Sequence, residues 1–238
     1  EDEHTVAKQT IPSPAQFLAQ FVFPMNRPGT FKIYDSEESL VQDIVAGYKK
    51  FIDALYQEGC RNLQLDDCTW GMYADPKGPA FLGVKAEEIQ HLQEISRDIN
   101  NRVLDLCPKD LTVNTHICRG NFHSTYACEG AYDAVAEELF VKEHPNAYFL
   151  EFDDARSGGF ESLVKVGEEK KVVLGLITTK SPVLENKEAV IKRIHEAAKY
   201  VPLERLYLSP QCGFASCEIG NKLTEEEQWN CLLYTSPS

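Results

Sequence analysis

Residues 111–120 read Leu-Thr-Val-Asn-Thr-His-Ile-Cys-Arg-Gly, and the apolar and β-branched residues among them predict a strand over Leu111–Cys118. Side chains on a strand alternate between faces, so Asn114, His116 and Cys118 share one face. Short runs of the same kind recur at Thr5–Ile11, Asn62–Asp66, Ala147–Asp153, Val172–Thr178 and Arg205–Ser209. Segments of helical period separate them. The clearest covers Ser36–Gly59, where Val41, Ile44, Val45, Tyr48, Ile52, Leu55 and Tyr56 form one apolar stripe, Ser36 caps the start and Gly59 ends it. A second covers Asn186–Tyr200, with Val190, Ile191, Ile194 and Ala198 inward, and weaker ones cover Glu87–Leu106 and Tyr132–Glu143.

Strands that alternate with helices pair in parallel through right-handed crossovers, so the fold class is α/β. An open doubly wound sheet would carry a Gly-rich phosphate loop after its first strand, and none stands there. The expected architecture is a (β/α)8 TIM barrel. Such a barrel needs about eight strands. Only six runs are found, the first beginning almost at residue 1. The expectation is therefore an incomplete barrel over residues 1–230, with about six of the eight βα units and two strands missing upstream. The final stretch, Cys231–Ser238, reads CLLYTSPS and matches the conceptual translation of a DNA-sequencing adapter, so residues 231–238 are expected to be a non-native tail.

Composition narrows the function classes. The chain has 238 residues, 43% hydrophobic and 26% charged, enough to bury a large core. A formal charge of −13, with no local cluster of Lys and Arg, argues against a nucleic-acid or anionic-membrane partner. No apolar run approaches the roughly 18 residues of a membrane span, and the first residues, EDEHTVAKQT, do not resemble a signal peptide. A cytoplasmic protein is expected. The eight cysteines lack paired spacings, which favours reduced thiols or metal ligands over a disulfide framework.

The chemistry sits where the predicted strands end. His116 and Cys118 point the same way, Glu151 and Asp153 share a face of the next strand, and Cys212 follows the last strand beside Gly213. A lone His-x-Cys pair is most often packing. Nitrogen, thiolate and carboxylate donors from three strand ends suit tetrahedral zinc better than a hard cation, which takes oxygens. Either acid fits that pattern.

The ordered segments LQLDD, THICRGN, FLEFDDARSG, LGLITTKSP and ERLYLSPQCG are similar to the C-terminal catalytic barrel of cobalamin-independent methionine synthases, over nearly all of residues 5–228. The wording is closest to the shorter, single-barrel members. The resemblance implies Zn2+ held by His116, Cys118, Glu151 and Cys212, with Asp153 as the alternative acid. It implies a methyl transfer to the thiol of homocysteine, forming methionine, from methyl-folate or another donor. Asp66 matches the family acid that holds the substrate amino group, and Asp67 beside it is offered for the same task. Turn capping is the ordinary use of an Asp there. Lys180 stands where classical members carry a His proposed as the proton donor, and is the candidate acid. The family's Gly-Ser and Gly-Glu substrate motifs are not in this sequence. Gln20 and Met72 fall near the family's folate-contacting Trp and Glu, while Trp70 reads as a packed residue.

Two other functions fit these residues. A coenzyme M or epoxide-opening thiol transferase uses the same zinc-thiolate device, and Lys180 would suit a sulfonate. A non-catalytic zinc-binding or thiol-sensing barrel is the other. His4, His91, His144 and His195 read as solvated, His123 as a neighbour of the ligand pair, Arg156 as an orienting partner for the acid, and Glu225–Glu227 as a first helical turn.

Overall fold

The computed structural model describes residues 6–215 and 218–235. The strands are β1 (Gln9–Pro12), β2 (Asn62–Asp67), β3 (Thr112–Ile117), β4 (Ala147–Glu151), β5 (Lys171–Ile177) and β6 (Leu206–Pro210). They form one sheet in the order β1-β2-β3-β4-β5-β6, and every neighbouring pair is parallel. Spatial order therefore equals chain order. That is the arrangement of an α/β barrel, here an open six-stranded sheet like a barrel in which the ring is incomplete.

The helices are α1 (Pro14–Val22), α2 (Arg27–Thr30), α3 (Glu37–Gln57), α4 (Thr69–Ala74), α5 (Gly78–Leu82), α6 (Ile89–Leu104), α7 (Lys187–Ala197) and α8 (Glu225–Thr235). Helix α3 begins as the sequence predicts: Ser36 accepts from the Ser39 amide in a capping box, and Gly59 takes φ +98° just past its end. Its Ile52 packs with Leu63, Leu65 and Val113, the outward residues of β2 and β3. A larger core of Trp70, Tyr132, Phe140, Tyr148, Phe152 and Phe160 lies behind β4 and β5. Trp70 is fully buried, as a packed residue would be.

Two expectations need correction. The first strand is Gln9–Pro12 rather than Thr5–Ile11, and Thr5 and His4 lie outside the described residues. The helix expected over Tyr132–Glu143 is a 3-10 turn at Tyr132–Ala134 followed by a π-helical turn at Glu137–Lys142. Its carbonyls are taken by side chains from elsewhere: Tyr148 donates to Leu139 at 2.6 Å and Lys170 to Phe140 at 3.2 Å. At the chain's end α8 runs through Cys231 to Thr235 and Cys231 is buried. Residues 231–235 thus continue a helix. No helix among the described residues is long and apolar enough to cross a membrane.

Candidate metal centre

Strand alternation sends Gln64 and Asp66 of β2, Asn114 and His116 of β3, and Phe149 and Glu151 of β4 to the inner face of the sheet. Asp66 pairs in register with His116, and His116 with Phe149. Cys118 follows β3, its amide bonded to the Asp67 carbonyl at 3.0 Å. Cys212 follows β6 in a loop anchored by the Gln211 amide on the Ile177 carbonyl at 2.8 Å. Gly175 lets that loop come in: a Cβ there would lie 2.7 Å from the Gln211 Cα.

One donor atom from each of His116, Cys118, Glu151 and Cys212 falls within 4.8 Å of the others. The two sulfurs are 4.0 Å apart, and His116 Nε2 is 3.9 Å from Glu151 Oε1. A tetrahedral zinc with bonds of about 2.3 Å to sulfur would separate two sulfurs by about 3.8 Å, so the spacing fits. His116 and Glu151 are buried, and Nε2 makes no hydrogen bond. A buried, unpartnered nitrogen facing two thiols and a carboxylate is what a cation-binding set leaves behind.

Electrostatics point the same way. Burial pushes His116 down, but Cys212, Glu151 and Asp66 outweigh it and hold the imidazole above its ordinary value. The Cys212 thiol is pushed up by its contact with Cys118 and by burial. For Cys118 the contact with Cys212 pulls downward, yet Cys68 and burial together push it well up. The two thiols thus resist ionising without a cation beside them.

The acid is fixed from behind. Glu151 Oε1 accepts the Arg119 amide at 3.2 Å, and Oε2 accepts Arg156 at 2.8 Å. Arg156 also pairs with Asp153 at 2.7 Å and Asp154 at 2.5 Å. Arg156 holds both acids, but Glu151 is the one whose oxygen lies near His116 and within the four-donor cluster. Tyr132 brackets the Glu151 backbone, its hydroxyl accepting the Glu151 amide at 3.1 Å and donating to the Glu151 carbonyl at 3.4 Å. Sequence reasoning did not single out Tyr132.

Asp66 is half-buried on the inner face and accepts from Gln64 Nε2 at 2.7 Å. Asp67 does not belong with it. One residue on, it points to the opposite layer, is fully buried, and binds the Thr69 amide at 2.8 Å and Asn100 at 3.0 Å. Its pairing with Asp66 as a substrate contact is therefore corrected. The Lys180 ammonium is buried and has no hydrogen-bond partner. His123 is exposed. Cys107 and Cys128 stay outside the four-donor set, and burial pushes the Cys128 thiol up to about 12. Cys68 also stays outside the set but lies against Cys118, because it directly follows the β2 residue in register with Ile117. Cys217 lies outside the described residues.

A parallel α/β sheet in barrel order, with convergent metal donors at the strand ends, defines a barrel-type protein whose site lies at the usual catalytic face. Residues 27–225 match the family model described as cobalamin-independent synthase, catalytic domain, and the chain belongs to that family. It is 47% identical over 233 residues to the uncharacterized protein YxjG of Bacillus subtilis, covering 95% of this chain and 59% of the relative. A solved structure from Listeria monocytogenes, assigned to the vitamin-B12 independent methionine synthases, superposes with a TM-score of 0.72 at 33% identity over 98% of this chain and 63% of that one. A B12-independent methionine synthase from Shewanella, solved with selenomethionine, shares the fold at a TM-score of 0.65 and 18% identity, over 95% of this chain and 60% of that one. The chain thus spans about three-fifths of the length of these relatives.

Proposed function

We propose that this chain forms the metal- and thiol-binding part of a zinc-dependent methyltransferase that converts homocysteine to methionine without cobalamin. The observation that carries the proposal is the convergence of His116, Cys118, Glu151 and Cys212 within 4.8 Å. Zinc held by these four would lower the pKa of a substrate thiol so that it is present as thiolate at neutral pH. The chain's own groups supply the rest. Asp66, beside His116 in register, would receive the substrate's ammonium. Arg156 and the Arg119 amide hold the two Glu151 oxygens, which keeps that side chain from swinging away when substrate enters. Lys180 is the proposed acid, giving its proton to the leaving group of the methyl donor as the methyl carbon is taken by sulfur. The selenomethionine bound to the Shewanella relative is the selenium form of the product proposed here.

A second reading is favoured by one observation. The buried Lys180 ammonium lacks a partner, and an anionic thiol such as coenzyme M would provide one. The test is a panel of thiols offered to a full-length protein carrying this sequence, with methyl-folate as donor. Homocysteine as the methylated thiol supports the proposal. Preference for a sulfonate thiol supports the second reading, and zinc binding with no thiol alkylated by any donor rejects both.

A further inference from the structure

Beneath the metal donors the inner face carries a polar chain of which the reaction above uses only the last member, Asp66. Lys8 lies just before β1, and its ammonium reaches inward, donating to Gln64 Oε1 at 2.6 Å and sitting 4.1 Å from the centre of the Phe149 ring. Gln64 Nε2 in turn donates to Asp66 Oδ1 at 2.7 Å. Phe149 lies opposite His116 in register, so Lys8 spans from the first strand to the fourth directly below the donor cluster.

The chemistry of a primary amide makes this chain directional. Lysine has only donors, so the oxygen of Gln64 must face it, and the amide's N–H group must then face Asp66. Without Lys8 the amide is free to turn over and present its oxygen to the carboxylate, which would repel it. With Lys8 in place Oδ1 of Asp66 is occupied and its plane is set, leaving Oδ2 for another donor. Burial lowers the Lys8 pKa, and the Asp66 charge opposes that effect.

We propose that Lys8 is a positioning residue: through Gln64 it orients the Asp66 carboxylate to accept the ammonium of an α-amino thiol acid. This inference rests on the reading of Asp66 given above. A polar floor that merely stabilises the sheet is the competing account, and it predicts no dependence on the substrate's amino group.

The test is a calorimetric titration of a full-length, zinc-loaded protein carrying this sequence with homocysteine and with 4-mercaptobutanoate, the same thiol without its amino group. Lys8→Met should weaken homocysteine binding about tenfold, from the loss of one oriented charge-assisted hydrogen bond, and change 4-mercaptobutanoate by less than about twofold. Gln64→Leu should do the same, and the double variant should be no worse than either single one, because both cut one chain. Lys8→Arg, which retains a cationic donor, should restore most of the difference. Zinc content should be equal in all four variants. Equal weakening of both thiols, or of neither, would overturn the role of Lys8. Equal binding of the two thiols by the unaltered protein would instead reject the Asp66 reading itself, before any variant is made.

Discussion

Two buried clusters of ionisable groups lie on opposite faces of the same strands, and they are built in opposite ways. On the outer face, Asn100 joins two acids: its Nδ2 donates to Asp67 at 3.0 Å and to Glu143 at 2.6 Å, while its Oδ1 accepts the Ala15 amide at 2.9 Å. Lys170 closes the far side by donating to the Phe140 carbonyl and, at 3.3 Å, to the Tyr148 hydroxyl. On the inner face, His116 Nε2 has no partner, and the thiols of Cys118 and Cys212 face each other and the Glu151 carboxylate. The outer cluster ties Asp67, Asn100, Glu143 and Lys170 to partners within the chain, with Glu143 Oε2 left over. The inner one is arranged to receive something from outside the chain, and that difference separates a structural polar network from a site.

The contrast breaks most sharply at a ligand. Cys212→Ser should lower zinc affinity by on the order of a hundredfold or more, read by competition with a chromophoric chelator, while the metal-free protein melts within a degree or two of the original. The outer cluster should show the reverse. Asn100→Ala leaves two acids and an amide without their shared partner, so stability should fall by about 2–3 kcal/mol in urea with zinc affinity unchanged. Loss of zinc affinity in that variant would mean the two faces are not independent.

Smaller effects sharpen the comparison. Arg156→Met removes the brace on Glu151 Oε2 and should weaken zinc about tenfold, the scale for an outer partner of a ligand. Glu143 gives a pH signature for the outer face. Burial, then the Asp67 charge, pushes its carboxyl up to about 8, so the folded protein holds this proton more tightly than the unfolded chain. Its contribution to stability is thus complete below the unfolded value of about 4.5 and is lost as pH rises toward about 8. Urea denaturation at several pH values should show stability falling across that window, and Glu143→Gln should flatten the slope.

Much of the inner face was legible in the sequence because strand periodicity is short-range. His116 and Cys118 had to share a face, and barrel order had to bring Cys212 to the same rim. The same rule, applied one residue at a time, should have separated Asp66 from Asp67, since neighbours on a strand point to opposite layers. The choice of Glu151 over Asp153 was not decidable from spacing, as both lie on one face; in three dimensions it is a Glu151 oxygen that falls within the four-donor cluster. The outer cluster was invisible because Asp67, Asn100 and Glu143 come from separate elements and no local pattern marks their meeting. The π-helical turn at Glu137–Lys142 escaped for a similar reason: its carbonyls are claimed by Tyr148 and Lys170, which follow it in sequence.

The central claim is the identity of the donor set, and X-ray absorption at the zinc edge of the metal-loaded protein tests it most directly. The account predicts one zinc per chain with two sulfurs at about 2.3 Å and two lighter donors at about 2.0–2.2 Å, one of them an imidazole, and the loss of one sulfur in Cys118→Ser. A shell of oxygen and nitrogen alone, or a spectrum unchanged by Cys118→Ser, would contradict it.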